Sequence, residues 1–259
     1  MVELGAKDYL LTQVIDRFDL QSFDRPADLE KLTKDWGVTS IDVEPLFSAE
    51  AMLVPSSTGY KIILSEANRQ AYHSRHRFSF AHELGHLLLN LSELQPSGTR
   101  LGHEDRRTQV ERLCDSIAGE ILMPRTAFQH DAGSSGWSLS SLTSLAAMYE
   151  TSIPATAIRM VDLMGRPCAL DVWRLPAEKT ESPKLQWSHS LGFRYVIQNL
   201  GHPNLLELVT KASNSPKMLS GIAPIIDKWR RTKYPPVVPA KALAWGKGRN
   251  RQVMVFYYP

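Results

Sequence analysis

The residues His82-Glu83-Leu84-Gly85-His86, with Glu111 placed 25 residues beyond His86, have the types and spacing of a metal-dependent hydrolase centre. On a helix His82 and His86 stand one turn apart on one face, so both imidazoles can reach one ion, while Glu83 is displaced sideways toward a water on that ion. Zinc suits this donor set, because catalytic zinc takes three protein ligands and keeps one position open for a water whose pKa it lowers. Glu83 is then placed as the general base that takes a proton from the water and passes it to the leaving amine. The five-residue motif alone arises by chance in on the order of one per hundred chains with this many His and Glu, so its surroundings must decide.

The elements that must carry these residues are well marked. Arg77-Phe78-Ser79-Phe80-Ala81 leads into the motif and Leu87-Leu88-Leu89 leads out, which gives Phe80, Leu84, Leu87 and Leu88 the spacing of one buried stripe. This predicts a core helix with three polar residues turned to a cleft. On a second helix Val110, Leu113, Cys114, Ile117, Ala118, Ile121 and Leu122 recur at i, i+3, i+4 and i+7, and Pro124 stops it. Glu111 and Asp115 fall one turn apart on the border of that stripe. Glu111 can complete a two-His, one-Glu shell, and Asp115 can accept the free N–H of a ligand His and fix its tautomer. A solvated helix edge is the alternative reading of both carboxylates.

A chain of 259 residues with 43% hydrophobic content can bury a core as one large or two modest domains. No apolar run reaches membrane-spanning length and the N-terminal segment has no signal-type hydrophobic stretch, so a cytoplasmic protein without membrane contact is expected. Two cysteines, Cys114 and Cys168, make no disulfide framework. The net charge of +3 is uneven: from Lys228 onward there are eight basic residues and no acidic one, leaving residues 1–227 at −5. Trp229, Tyr234, Trp245, Tyr257 and Tyr258 interleave with those charges. Lys228, Trp229, Arg230, Arg231, Lys233, Trp245, Lys247, Arg249 and Arg251 are therefore a candidate nucleic-acid-binding set, suited to stacking and phosphate contacts on single-stranded DNA. A solvated or partner-docking face is the alternative.

Arg25-Pro26 opens a predicted helix that carries Leu29, Leu32 and Trp36 and stops at Gly37. Strands are expected over Thr39–Val43 and Tyr60–Leu64, the second after the turn signal Pro55–Gly59; this strand before the metal helix is a candidate edge for pairing with an extended peptide, or an ordinary covered strand. Pro96–Thr99 marks a loop and Ala132–Gly136 a flexible break. Beyond it, a helix through Leu139, Leu142, Leu145, Ala146 and Tyr149 and another from Pro154 to about Met164 have the layout of a helix-turn-helix, although packed helix pairs are common without DNA. Strands Ala169–Trp173, Leu185–Ser188 and Val253–Tyr258 around a helix over Pro203–Ala212 suggest a further mixed domain. The expected division is 1–136, 137–166 and 167–259.

The run Arg77–His86, followed by Glu111, Asp115, Ala118 and Leu122-Met123-Pro124, resembles the ImmA/IrrE family of zinc-dependent endopeptidases. The likeness covers roughly residues 25–165. It implies an α+β chain: a zincin-like metallopeptidase core of a small sheet plus metal-binding helices, a helix-turn-helix-like hairpin, and a C-terminal mixed α/β sensor-like domain. It further implies an anti-repressor that makes a limited cut in a helix-turn-helix repressor and switches on stress, mobile-element or defence genes, in some branches in response to DNA damage or single-stranded DNA. A nucleic-acid-binding regulator acting through the basic-aromatic tail is the alternative. One position departs from the family, which commonly has Ala where this chain has Cys114. A small buried thiol explains it, or a thiolate that occupies the open position on zinc and inhibits the enzyme. For the oxyanion of the reaction the sequence offers Tyr72, His73, His76 and His103 as donors without choosing among them.

Overall fold

In the computed structural model the first sheet consists of β1 (Val38–Glu44), β2 (Ala51–Ser56) and β3 (Gly59–Ser65). Its order is β1-β3-β2, with β3 parallel to β1 and antiparallel to β2. Strand β3 contains the predicted Tyr60–Leu64 segment, and it is central, paired on both sides. Its backbone groups are already used, so of the two readings the covered strand holds and the peptide-pairing edge does not; the edges of this sheet are β1 and β2. Strand β2 was not read from the sequence, and Pro55 and Ser56, taken there as turn residues, lie within it.

Helix α1 (Val2–Arg17) precedes this sheet, and α2 (Leu29–Asp35) starts three residues later than the Arg25-Pro26 signal suggests. Asp28 caps it, its carboxylate accepting the Lys31 N–H at 3.0 Å, which satisfies one of the orphan amides of a helix start. Helices α3 (His73–Ser92) and α4 (His103–Leu122) form as the two stripes predict: Phe80, Leu84, Leu87 and Leu88 are buried on α3, and Leu113, Cys114, Ile117, Ala118, Ile121 and Leu122 on α4. The break expected at Ala132–Gly136 is absent. Helix α5 (Arg125–Ser135) runs through it, with Ser134 Oγ donating back to the His130 carbonyl at 3.0 Å, and ends where Gly136 adopts φ +67°. Helices α6 (Leu139–Met148) and α7 (Ile153–Leu163) follow, separated by a turn in which Glu150 has φ +51°.

Five further strands, β4 (Cys168–Arg174), β5 (Lys184–Leu191), β6 (Leu219–Pro224), β7 (Val237–Trp245) and β8 (Gln252–Tyr257), make an antiparallel sheet of order β5-β4-β8-β7-β6. Helix α8 (Pro203–Ser213) covers one face, its Leu205, Leu208, Val209 and Ala212 packed on Ala169, Trp173, Ala240, Ala242, Val253 and Val255. Strands β6 and β7 were not expected from the sequence. The structure describes residues 2–23, 25–47, 49–67, 73–94, 103–136, 139–165, 167–176, 182–191, 203–224, 237–246 and 251–257. The chain is thus α+β with two sheets, and it divides into two compact units, Met1–Ser134 with Ser144–Ile153 and Ser135–Thr143 with Pro154–Pro259. Among the described residues no helix is long and apolar enough to cross a membrane.

Candidate metal centre

The apolar stripe of α3 packs against that of α4, and the two helices approach closely at Gly85. A Cβ there would stand 3.1 Å from both Cα and the carbonyl oxygen of Cys114, so only glycine fits without displacing a backbone. That contact brings the next residue, His86, and its partner one turn back, His82, up to α4. His82 Nε2 lies 3.1 Å and His86 Nε2 3.6 Å from Glu111 Oε2. The two imidazoles are edge to face with centroids 4.9 Å apart. One ligand atom from each of His82, His86 and Glu111 lies within 4.8 Å of the others, a separation one ion can bridge.

Each imidazole is also held at its other nitrogen. His82 Nδ1 is 2.9 Å from Asp115 Oδ1, one turn beyond Glu111, and His86 Nδ1 is 3.3 Å from Cys114 Sγ. Cys114 is fully buried and sits at the ring nitrogen of His86 that is not the one near Glu111. Neither cysteine is in a disulfide.

The electrostatics follow from this crowding. Burial opposes a charged His82, but the hydrogen bond and charge of Asp115, with Glu83 and Glu111 nearby, outweigh it and raise its pKa. Glu83 is half-buried on α3. Burial raises its carboxyl above the ordinary range; His86, His82 and the backbone amide of Leu53 pull it down, and the negative charge of Glu111 pushes it up. The Cys114 thiol is pushed far up by burial and by Glu111, Asp115 and Glu83. The whole site is rich in groups that gain from a cation.

The Leu53 amide was not anticipated, and it shows how β2 contributes. The Ser65 N–H donates to the Glu50 carbonyl at 2.9 Å. With Ala51 opposite Leu64, the backbones of residues 50, 52 and 54 therefore face β3, while 51, 53 and 55 face outward. The outward Leu53 amide meets Glu83, and Pro55 has no N–H to offer at the third outward position. Glu50 ties the start of β2 to α3, accepting from Ser79 Oγ at 2.9 Å and pairing with Arg75. Proline near the strand end masks β2 in the sequence.

His73 is exposed and paired with Glu150 at 3.1 Å, and His76 has its Nε2 buried on α3. Tyr72 lies outside the described residues, and of His103 only the backbone, at the start of α4, is described. Of the candidate nucleic-acid set, Lys228, Trp229, Arg230, Arg231, Lys233, Lys247 and Arg249 lie outside the described residues, while Trp245 and Arg251 are half-buried. Tyr257 is not an available stacking platform. It is fully buried, and its hydroxyl donates to Asp171 at 2.7 Å.

Residues 55–161, which contain both metal-site helices, match the family described as the IrrE N-terminal-like domain of peptidase M78. The chain carries an IrrE N-terminal-like domain. The resemblance read from the Arg77–His86 run and the Glu111–Pro124 run is therefore to the right family, and the domain is of a peptidase type. No curated protein matches the chain. Among solved structures the chain is similar to a Mycobacterium tuberculosis transcriptional regulator, with a TM-score of 0.65 and 15% identity over 98% of this chain and 80% of that one. At that identity the likeness is one of fold. The domain match ends at Val161, before β4, so it covers the candidate metal centre and not the second sheet.

Proposed function

We propose that the chain is a cytoplasmic zinc endopeptidase with a zincin-like core, cutting a helix-turn-helix transcriptional repressor at one site. The observation that carries the reading is the convergence of His82, His86 and Glu111 beside Glu83 on a domain of a peptidase family. Two imidazole nitrogens and one carboxylate oxygen are the donor set of a hydrolytic zinc site, and each ring has its second nitrogen engaged, as ligating histidines require. When bound, zinc supplies Lewis-acid polarisation and makes water acidic enough to react near neutral pH.

The chain's own residues do the rest. The Glu83 carboxylate accepts a proton from the attacking water and returns it to the amine that leaves when the peptide bond breaks. Glu83 is half-buried beside the two imidazoles, with the Leu53 amide on its carboxylate. An extended substrate segment pairs along the outward edge of β2 through the backbone of Ala51 and the carbonyl of Leu53, whose amide is held by Glu83, and Pro55 ends that ladder. In this reading repressor cleavage derepresses stress, mobile-element or defence genes. The eight basic residues from Lys228 onward, in a stretch of sequence with no acidic residue, favour activation by single-stranded DNA after DNA damage.

The test is direct. Purified zinc-loaded protein is incubated with the small helix-turn-helix proteins encoded near its gene, and products are read by intact mass. One new pair of fragments, absent with Glu83→Gln and restored by zinc after chelation, is expected. A full panel left uncut by a protein that holds stoichiometric zinc would remove the repressor as substrate.

A further inference from the structure

The two histidines of the candidate centre have unequal partners. His82 Nδ1 faces a carboxylate oxygen of Asp115 at 2.9 Å, and His86 Nδ1 faces the sulfur of Cys114 at 3.3 Å. The partners are consecutive residues on α4. Because successive helical side chains are about 100° apart, one points along the site toward His82 and the other back toward the helix crossing at Gly85. Cys114 is fully buried there, with its Cα and carbonyl oxygen 3.1 Å from where a Gly85 Cβ would be.

We infer that Cys114 is a positioning residue for the metal centre: its sulfur accepts the Nδ1–H of His86 and so fixes the tautomer that turns Nε2 toward Glu111. The inference rests on the metal-centre reading above, and it gives the sulfur a role other than that of an inhibitory thiolate ligand. A sulfur bonded to zinc lies about 2.3 Å from the ion, whereas this one occupies the other edge of the His86 ring from Nε2. A buried N–H without an acceptor is costly, so removing the sulfur leaves His86 either turned away or in the wrong tautomer. A soft neutral acceptor also pushes less electron density onto its imidazole than a carboxylate does. His86 is thus the weaker donor of the pair and His82, backed by Asp115, the stronger.

The experiment uses the full chain stripped of metal, with zinc affinity measured by competition against a chromophoric chelator and ligand identity by the absorption of the cobalt(II)-substituted protein. Wild type, Cys114→Ser, Cys114→Ala and His82→Ala are compared, with thermal unfolding confirming that each is folded. Cys114→Ala is expected to weaken zinc binding by about 10- to 100-fold. Cys114→Ser, which keeps an acceptor, recovers most of that loss, and the cobalt protein shows no thiolate-to-metal charge-transfer band. A charge-transfer band in wild type that disappears in Cys114→Ser makes the sulfur a ligand and overturns the inference. Equal affinity of wild type and Cys114→Ala overturns it as well. Wild-type binding that His82→Ala leaves unchanged removes the metal centre itself, a failure of the underlying reading that is distinct from the other two.

Discussion

In the first unit, Glu111 and Asp115 keep 44% and 54% of their side-chain surface open and face imidazoles. In the second, Asp171 is fully enclosed on β4 and faces only hydroxyls, Ser188 Oγ at 2.6 Å and Tyr257 Oη at 2.7 Å. The first arrangement leaves two half-exposed carboxylates converging on imidazole nitrogens, as a cation site needs. The second joins β4 to β5 and β8 by neutral donors around a carboxyl whose pKa burial pushes up to about 6. A buried acid with hydroxyl partners is a structural pin, while half-exposed acids that converge on histidines are available for chemistry.

The largest difference between the two should appear on removing metal ligands. His82→Ala and Glu111→Ala are expected to abolish stoichiometric zinc, read by elemental analysis after gel filtration, while Asp171→Asn leaves the zinc content at one per chain. Zinc retained by Glu111→Ala would take that residue out of the shell.

Next in size is the pH dependence of the second unit. Asp171 has a folded pKa near 6, above its unfolded value of about 3.9, so folding favours its protonated form. Below about pH 4 both states are protonated and no penalty exists. The penalty grows as pH rises from about 4 to 6 and is complete above, reaching about 3 kcal/mol for a shift of about two units. Urea unfolding followed in the second unit should therefore show stability falling across that window, and Asp171→Asn should flatten this part of the profile. A wild-type profile without that fall would place the Asp171 pKa near its ordinary value.

Asp115→Ala is expected to weaken zinc by about 10- to 100-fold without abolishing it, because it leaves the ligand His82 in place but without its acceptor. A loss as complete as that of His82→Ala would promote Asp115 to a ligand. Smallest of all, Gly85→Ala gains helix propensity of about 1 kcal/mol but crowds the Cys114 backbone, a strain of about 1–3 kcal/mol, for a modest net drop in melting temperature. A rise in melting temperature would show that α3 and α4 separate at no cost.

The site helices were legible because a buried stripe and polar residues at fixed offsets coincide on them. Phe80, Leu84 and Leu88 fix which way α3 faces, and once they do, His82 and His86 have one direction left. The same logic fails where burial is set by neighbours. In β7, Ala240 and Ala242 are fully buried, but Pro239 and the alanines have low strand preference, and only α8 and the flanking strands make the segment a strand. Pro239 is tolerated because it pairs with Ile222 of β6 and lies just outside the run that pairs with β8, which begins at Ala240. Helix α1 is a different case: among its described side chains Leu11, Val14 and Ile15 are buried at i, i+3 and i+4, a periodicity the sequence carries and that was passed over. Tyr257 was misread because alternation with charges in a sequence does not say which side of a strand is covered. The Leu53 amide has no side-chain signal at all, since any residue except proline would offer it.

The central claim is that Glu83 acts as the general base of a zinc peptidase, and Glu83→Gln tests it most directly. Zinc content, melting temperature and repressor cleavage are measured on wild type and variant side by side. The amide cannot accept a proton, so the variant should hold zinc and fold like wild type while cleavage falls by about 10²- to 10⁴-fold. A Glu83→Gln protein that cuts the repressor at the wild-type rate would contradict the mechanism.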